Sequence, residues 1–202
     1  MSAYSIVDIP GWENLSLSMA DRGDLDRRID ELAHRSVPDD VPRDTATPFR
    51  KEIRKQLARL TDQARQAGAG LLCLPTKRMG DIPIPASYTV SEWRDADRDE
   101  VEPSQLLDVL AANSIFATRL VDIDGQPALR EEGVEAADPV SEPLATHAGR
   151  RVSYTIAAPD DRRAWVVFTF STLGDGNPEG ALADILVELF DAQLTTLRWR
   201  EE

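Results

Sequence analysis

The run Gly174-Asp175-Gly176-Asn177-Pro178-Glu179-Gly180 stands where nucleotide phosphates are often held, in a glycine-rich turn after an apolar strand and before a helix. Its details oppose that chemistry. The spacing is G-x-G-x-x-x-G, Pro178 removes an amide donor, and Asp175 and Glu179 bring negative charge to the helix end that should attract phosphate. The same residues partly imitate a calcium loop, but Leu186 stands where the bidentate glutamate belongs. Asp95, Asp97 and Asp99 have the calcium spacing too, and then Glu100 and Leu106 replace the required glycine and glutamate. We read the first run as a capped turn and the second as a solvated acidic loop, and expect no metal and no other cofactor.

Nucleophilic catalysis would need Cys73, the only cysteine, with one of two histidines, His34 or His147. Cys73 falls in an apolar strand, where a thiol is usually a small inert hydrophobe. No G-x-S-x-G, H-E-x-x-H or C-x-x-C pattern occurs. A Cys-dependent hydrolase or transferase is therefore an alternative and not the leading expectation, and no catalytic residue is assigned. A single cysteine suits a reducing cytoplasm.

Charge is the more distinctive signal. The 202 residues carry a net charge of −13, which opposes binding to nucleic acid or to an anionic membrane face. Residues 95–142 hold 13 acids against 3 arginines, whereas residues 50–65 hold 6 cations against 2 acids. Arg50, Lys51, Arg54, Lys55 and Arg59 are the candidate partner-binding residues, a docking face for an acidic protein. The plain alternative is a solvated helix paired with its own neighbours. Opposite charge on separate segments also permits head-to-tail self-association. The four tryptophans, Trp12, Trp93, Trp165 and Trp199, read as core or strand-end packing.

The elements that must position these groups follow from periodicity. Short strands are expected near Ser5–Ile9 and over Glu13–Ser18, then a helix over 19–35 and a connector over 37–48. Thr47 and Pro48 are expected to open a second helix, with Phe49, Ile53, Leu57, Leu60 and Ala64 in one stripe and Gly68 as its stop. Leu71–Leu74 and Ser87–Trp93 read as paired strands, and 104–112 as a short helix. Asp124-Gly125 signals a hairpin between Ile115–Ile123 and Ala128–Glu132, with Pro127 marking the second strand as an edge candidate. A polar stretch, 133–149, precedes two further strands over 152–156 and 164–171. The last helix is expected to be capped by Asn177, with Leu182, Leu186, Leu189, Phe190, Leu194 and Leu197 among its apolar stripe and Arg198 and Arg200 at its C-terminal end.

Strands joined in pairs by short turns, with helices between the pairs, predict an α+β fold: a mainly antiparallel sheet with helices packed on its faces, in a single domain over residues 1–202. No run approaches a membrane span, and Met1–Val7 has no basic, apolar leader, so a cytoplasmic protein without membrane contact is expected. A bias to Arg, Asp and Ala, with only 3 lysines, points to a GC-rich, actinobacterial genome. Pro10-Gly11-Trp12 with Leu15 and Leu17, Phe168-Thr169-Phe170-Ser171-Thr172, Leu189-Phe190-Asp191 and Leu197-Arg198-Trp199 together resemble a group of uncharacterised actinobacterial proteins whose architecture is similar to the PsbP-like α/β/α sandwich. That resemblance implies a binding or accessory subunit without catalytic residues, and carries over no site. The expectation is a non-enzymatic, cytoplasmic binding or accessory protein that recognises a protein partner through charged patches. An immunity or inhibitor-type protein covering a basic partner with the acidic midsection is the other alternative.

Overall fold

Alternation of apolar and polar residues along the strands determines which way each side chain faces, and here both faces of one sheet find cover. The computed structural model describes residues 3–38, 40–77, 84–94, 102–137 and 147–200. In chain order these form β1 (Tyr4–Ser5), β2 (Trp12–Ser16), a 3-10 turn (Met19–Asp21), α1 (Arg22–Arg35), α2 (Arg43–Gln66), β3 (Leu71–Pro75) and β4 (Ala86–Arg94). They continue with α3 (Pro103–Asn113), β5 (Ala117–Ile123), β6 (Gln126–Glu135), β7 (Gly149–Ala157), β8 (Ala164–Thr172), α4 (Ala181–Leu194) and β9 (Arg198–Trp199). The expected acidic run 95–100 and residues 138–146 of the polar stretch lie outside the described residues.

Seven strands make one sheet in the order β2-β3-β4-β8-β7-β6-β5, and every pairing in it is antiparallel. The fold is α+β, as the pattern of paired strands predicts. β1 and β9 form a separate two-stranded ribbon with Tyr4 opposite Trp199. On one sheet face Tyr88, Val90, Val152, Tyr154, Ile156, Val166, Phe168 and Phe170 meet Leu186, Val187, Phe190 and Leu194 of α4. Phe190 stacks on Phe170 with ring centroids 5.0 Å apart, and also touches Tyr88 and Tyr154. On the opposite face, α1 and α2 cover Leu15, Leu17 and Leu72, while α3 covers Leu129, Ala157 and Trp165 through Leu107.

Five expectations are corrected. α2 opens at Arg43, where the amides of Thr45 and Ala46 both bond the Pro42 carbonyl at 2.9 Å, so Thr47 caps nothing and Pro48 lies inside the helix. Burial of Ala46 draws the first turn onto the core and offsets the one donor that Pro48 lacks. α4 starts at Ala181, because Asn177 accepts the Glu179 amide at 3.1 Å in a local turn that competes with the helix. It ends at Leu194, so Arg198 belongs to β9, although its guanidinium still caps the Thr195 carbonyl at 2.9 Å. β6 is not an edge: it lies between β5 and β7, and Pro127 falls one residue before its pairing with β7 begins at Ala128. Finally, Gly133–Glu135 and Gly149 of the expected polar stretch are strand residues.

Candidate functional site

α2 carries all five of the predicted partner-binding cations, and folding divides them. Arg54 pairs with Asp30 of α1 through Nε and Oδ1 at 2.7 Å, and half-buried Arg50 donates to the Val37 carbonyl at 3.4 Å. The first ties α2 to α1, and the second ties it to the connector that follows α1. Lys51, Lys55 and Arg59 recur every four residues, so they form one stripe, and all three are exposed. Among the described residues none of the three has a carboxylate within ion-pair distance.

The acidic midsection is dispersed in contrast. Six of its 13 acids, Asp95, Asp97, Asp99, Glu100, Asp138 and Glu142, lie outside the described residues. Glu102 pairs with Arg162, Glu135 with Arg151 at 2.8 Å, and Asp124 accepts the Trp199 amide at 2.8 Å.

The sheet face that α2 covers incompletely holds a cleft of about 570 Å³ at the ends of β4, β6, β7 and β8. Leu57 and Leu60 of α2 and Leu173 give it apolar walls, and Ser87, Ser171, Glu135 and His147 give it polar groups. Ser87 and Ser171 are register partners on neighbouring strands, and Thr89 and Thr169 form the next such pair along the same face. The middle of this face is thus floored by hydroxyls between two apolar helix footings. Such a surface can hydrogen-bond and pack against a bound group. The structure places neither Lys51, Lys55 nor Arg59 among the lining residues.

Cys73 points to the other face, into the α4 core, with 2% of its surface exposed. Burial pushes its thiol up to about 11, and the hydrogen bond with Tyr88 acts in the opposite direction without offsetting it. His147 lines the cleft across the sheet, and His34 lies exposed on α1. The Cys–His pair that a thiol enzyme needs is not brought together. In the former nucleotide-like run, Asp175 and Asn177 accept backbone amides of the turn at 3.3 and 3.1 Å.

No family model and no curated protein matches the chain. Solved structures do. LpqN of Mycobacterium tuberculosis, involved in cell envelope biogenesis, superposes with a TM-score of 0.52 at 10% identity, over 100% of this chain and 85% of that one. The likeness is one of fold, full-length, and it comes from an actinobacterium. No helix of the described residues is long and apolar enough to cross a membrane.

Beneath α4 the structure holds a charged cluster that the sequence does not announce. Arg130 grips Asp191 of α4 in a bidentate pair at 3.0 and 2.8 Å, reaches Glu132 at 2.6 Å, and lies over the Tyr154 ring at 5.9 Å. Tyr154 donates to Asp191 at 2.8 Å, and Arg150 bridges Glu132 at 2.7 Å to Asp184 at 2.9 Å. Burial alone would raise Glu132, but the hydrogen bonds from Arg130 and Arg150 outweigh it and hold its carboxyl below the usual range. None of the cluster's residues lines the cleft, and its chemistry is that of a lock between helix and sheet. Its one sequence signal is parity: Ala128, Arg130 and Glu132 share a strand face, but only the pairing with Val152 and Tyr154 shows that this face is covered.

Proposed function

We propose that this chain is a non-enzymatic binding or accessory protein of the cytoplasm, which docks an acidic protein partner on the Lys51–Lys55–Arg59 stripe. One observation carries this reading. On a chain of net charge −13, these three cations stay exposed and without carboxylate partners among the described residues, while Arg54 is matched internally. Uncompensated like charge in register costs stability through mutual repulsion, so its presence is best accounted for by a partner that neutralises it. The PsbP-like architecture and the actinobacterial kinship belong to the same reading, supported by the full-length likeness in fold to a mycobacterial protein.

An immunity or inhibitor-type protein that covers a basic partner draws less support, because Glu102, Asp124, Glu132 and Glu135 already have internal partners. The test is affinity capture from the native organism with chemical cross-linking, comparing wild type with a Lys51→Glu/Lys55→Glu/Arg59→Glu variant and an Arg27→Glu control. The partner is expected to cross-link to α2, to bind less as salt rises, and to be lost only from the triple variant. Unchanged recovery with the folded triple variant removes the stripe from the function. Cell fractionation of the tagged chain tests the location separately, since LpqN is involved in cell envelope biogenesis.

A further inference from the structure

We propose that the outer edge of β5 is a docking surface for a second copy of this chain, paired antiparallel about a two-fold axis at Leu120. β5 ends the seven-stranded sheet, and among the described residues nothing pairs with its outer side. The phase of its free hydrogen bonds follows from the hairpin. Ile123 and Gln126 flank a two-residue turn whose Asp124 and Gly125 have φ of 52° and 78°, the conformation of a type I′ turn. In such a hairpin the flanking pair exchanges both main-chain bonds, and the pattern alternates from there. Ala117, Arg119, Val121 and Ile123 therefore bond to β6. Thr118, Leu120 and Asp122 direct their amides and carbonyls outward.

Those three residues are self-complementary. With Leu120 opposite Leu120 of the second copy, Thr118 faces Asp122 of the second copy, and the outward groups match donor to acceptor along the whole strand. A hydroxyl then meets a carboxylate twice, and no like charges stand directly opposite. Leu120 is 52% exposed, and it shares its sheet face with Leu129 beneath α3, whose Val109 is 55% exposed. Symmetry brings both apolar margins toward the axis. Locally the strand is neutral, with one Arg119 and one Asp122, so two copies of an otherwise acidic chain meet here without strong repulsion. β5 also lacks the proline, lysine or bulge that commonly blunts an edge. The opposite edge, β2, is five residues long and carries Glu13, clamped to Arg28 and Arg35.

Cysteine placement tests the register in the full chain. Across the axis, Leu120→Cys would place two α-carbons about 5.5 Å apart, within disulfide reach, whereas Thr118→Cys would face position 122 of the other copy. Native Cys73 is buried and serves as an internal control. The expected result is a dimer by sedimentation velocity, with mild oxidation trapping Leu120→Cys at least about tenfold faster than Thr118→Cys. Leu120→Lys, at a side chain 52% exposed in the monomer, is expected to give monomers with an unchanged circular dichroism spectrum. Wild type that sediments as a monomer throughout the micromolar range, equal trapping of the two cysteine variants, or a dimer that survives Leu120→Lys would each overturn the proposal. Loss of the dimer on Lys55→Glu but not on Leu120→Lys would assign association to α2 instead.

Discussion

Cys73 shows how a reactive residue type is made inert by its surroundings. The Tyr88 hydroxyl beside it also accepts a hydrogen bond from Gln193 at 3.1 Å, and Trp12 stacks on the Tyr88 ring. With the thiol pKa raised to about 11, its thiolate fraction at pH 8 is about a hundredfold below that of an ordinary thiol. Iodoacetamide is therefore expected to label the unfolded chain and to spare the native one up to pH 9; rapid native labelling would contradict this environment. The sign for stability follows from the same shift. The neutral thiol is favoured in the folded state, so stability is complete below the ordinary thiol pKa and declines as pH climbs from there toward about 11. Much of this was legible in the sequence, because Cys73 alternates with Leu72 and Leu74 in an apolar strand. Arg130 was not: a charged residue in an exposed-looking hairpin strand becomes 10% exposed only because β7 and α4 close over it.

At the level of elements, the hairpin β5–β6 is held to the segment before it by close approach at Gly133. A Cβ added there would lie 2.1 Å from Cδ1 of Phe116, whose ring also receives the Arg151 guanidinium at 5.8 Å. Gly133→Ala is expected to cost about 1–3 kcal/mol, measured by urea unfolding, through displacement of that ring. Adding Phe116→Leu should recover part of the loss, and additive losses would mean that the contact is not the cause. The paired strands and all four helices were readable from periodicity, since each apolar stripe repeats at its own spacing. Helix starts were less so. Thr47-Pro48 and Asn177-Pro178 are both sound capping signals, yet burial of Ala46 moved one start earlier, and an Asx turn moved the other later. The cleft could not be read at all, because Ser87, Ser171, Glu135 and His147 come from four segments whose neighbourhood depends on strand order.

Over the whole molecule, the cluster of Arg130, Arg150, Glu132, Asp184 and Asp191 joins α4 to the far half of the sheet. Arg130→Met leaves partly buried Asp191 without its cation and Glu132 with Arg150 alone. It is expected to cost about 2–4 kcal/mol, near the lower end for a broken buried pair because the carboxylates keep some water. Glu132 and Glu13 are both held below the ordinary carboxylate range by arginine hydrogen bonds that outweigh burial. Their stabilisation is therefore present above the unfolded value of about 4.3 and fades as pH falls through the folded values. Denaturation followed from pH 6 down to pH 2 should show that decline, and Glu132→Gln should flatten it. A decline unaltered by Glu132→Gln would place the acid sensitivity elsewhere. The strand order has its own outcome for biosynthesis. β4 and β8 are neighbours at the centre of the sheet, although Arg94 and Ala164, partners at one end, are 70 residues apart in the chain. A ribosome releasing this polypeptide N-terminus first exposes Tyr88 and Val90 on an unfinished edge until residues beyond 160 emerge. During that interval the nascent chain is at its most vulnerable to chaperone capture or to mispairing with its own kind.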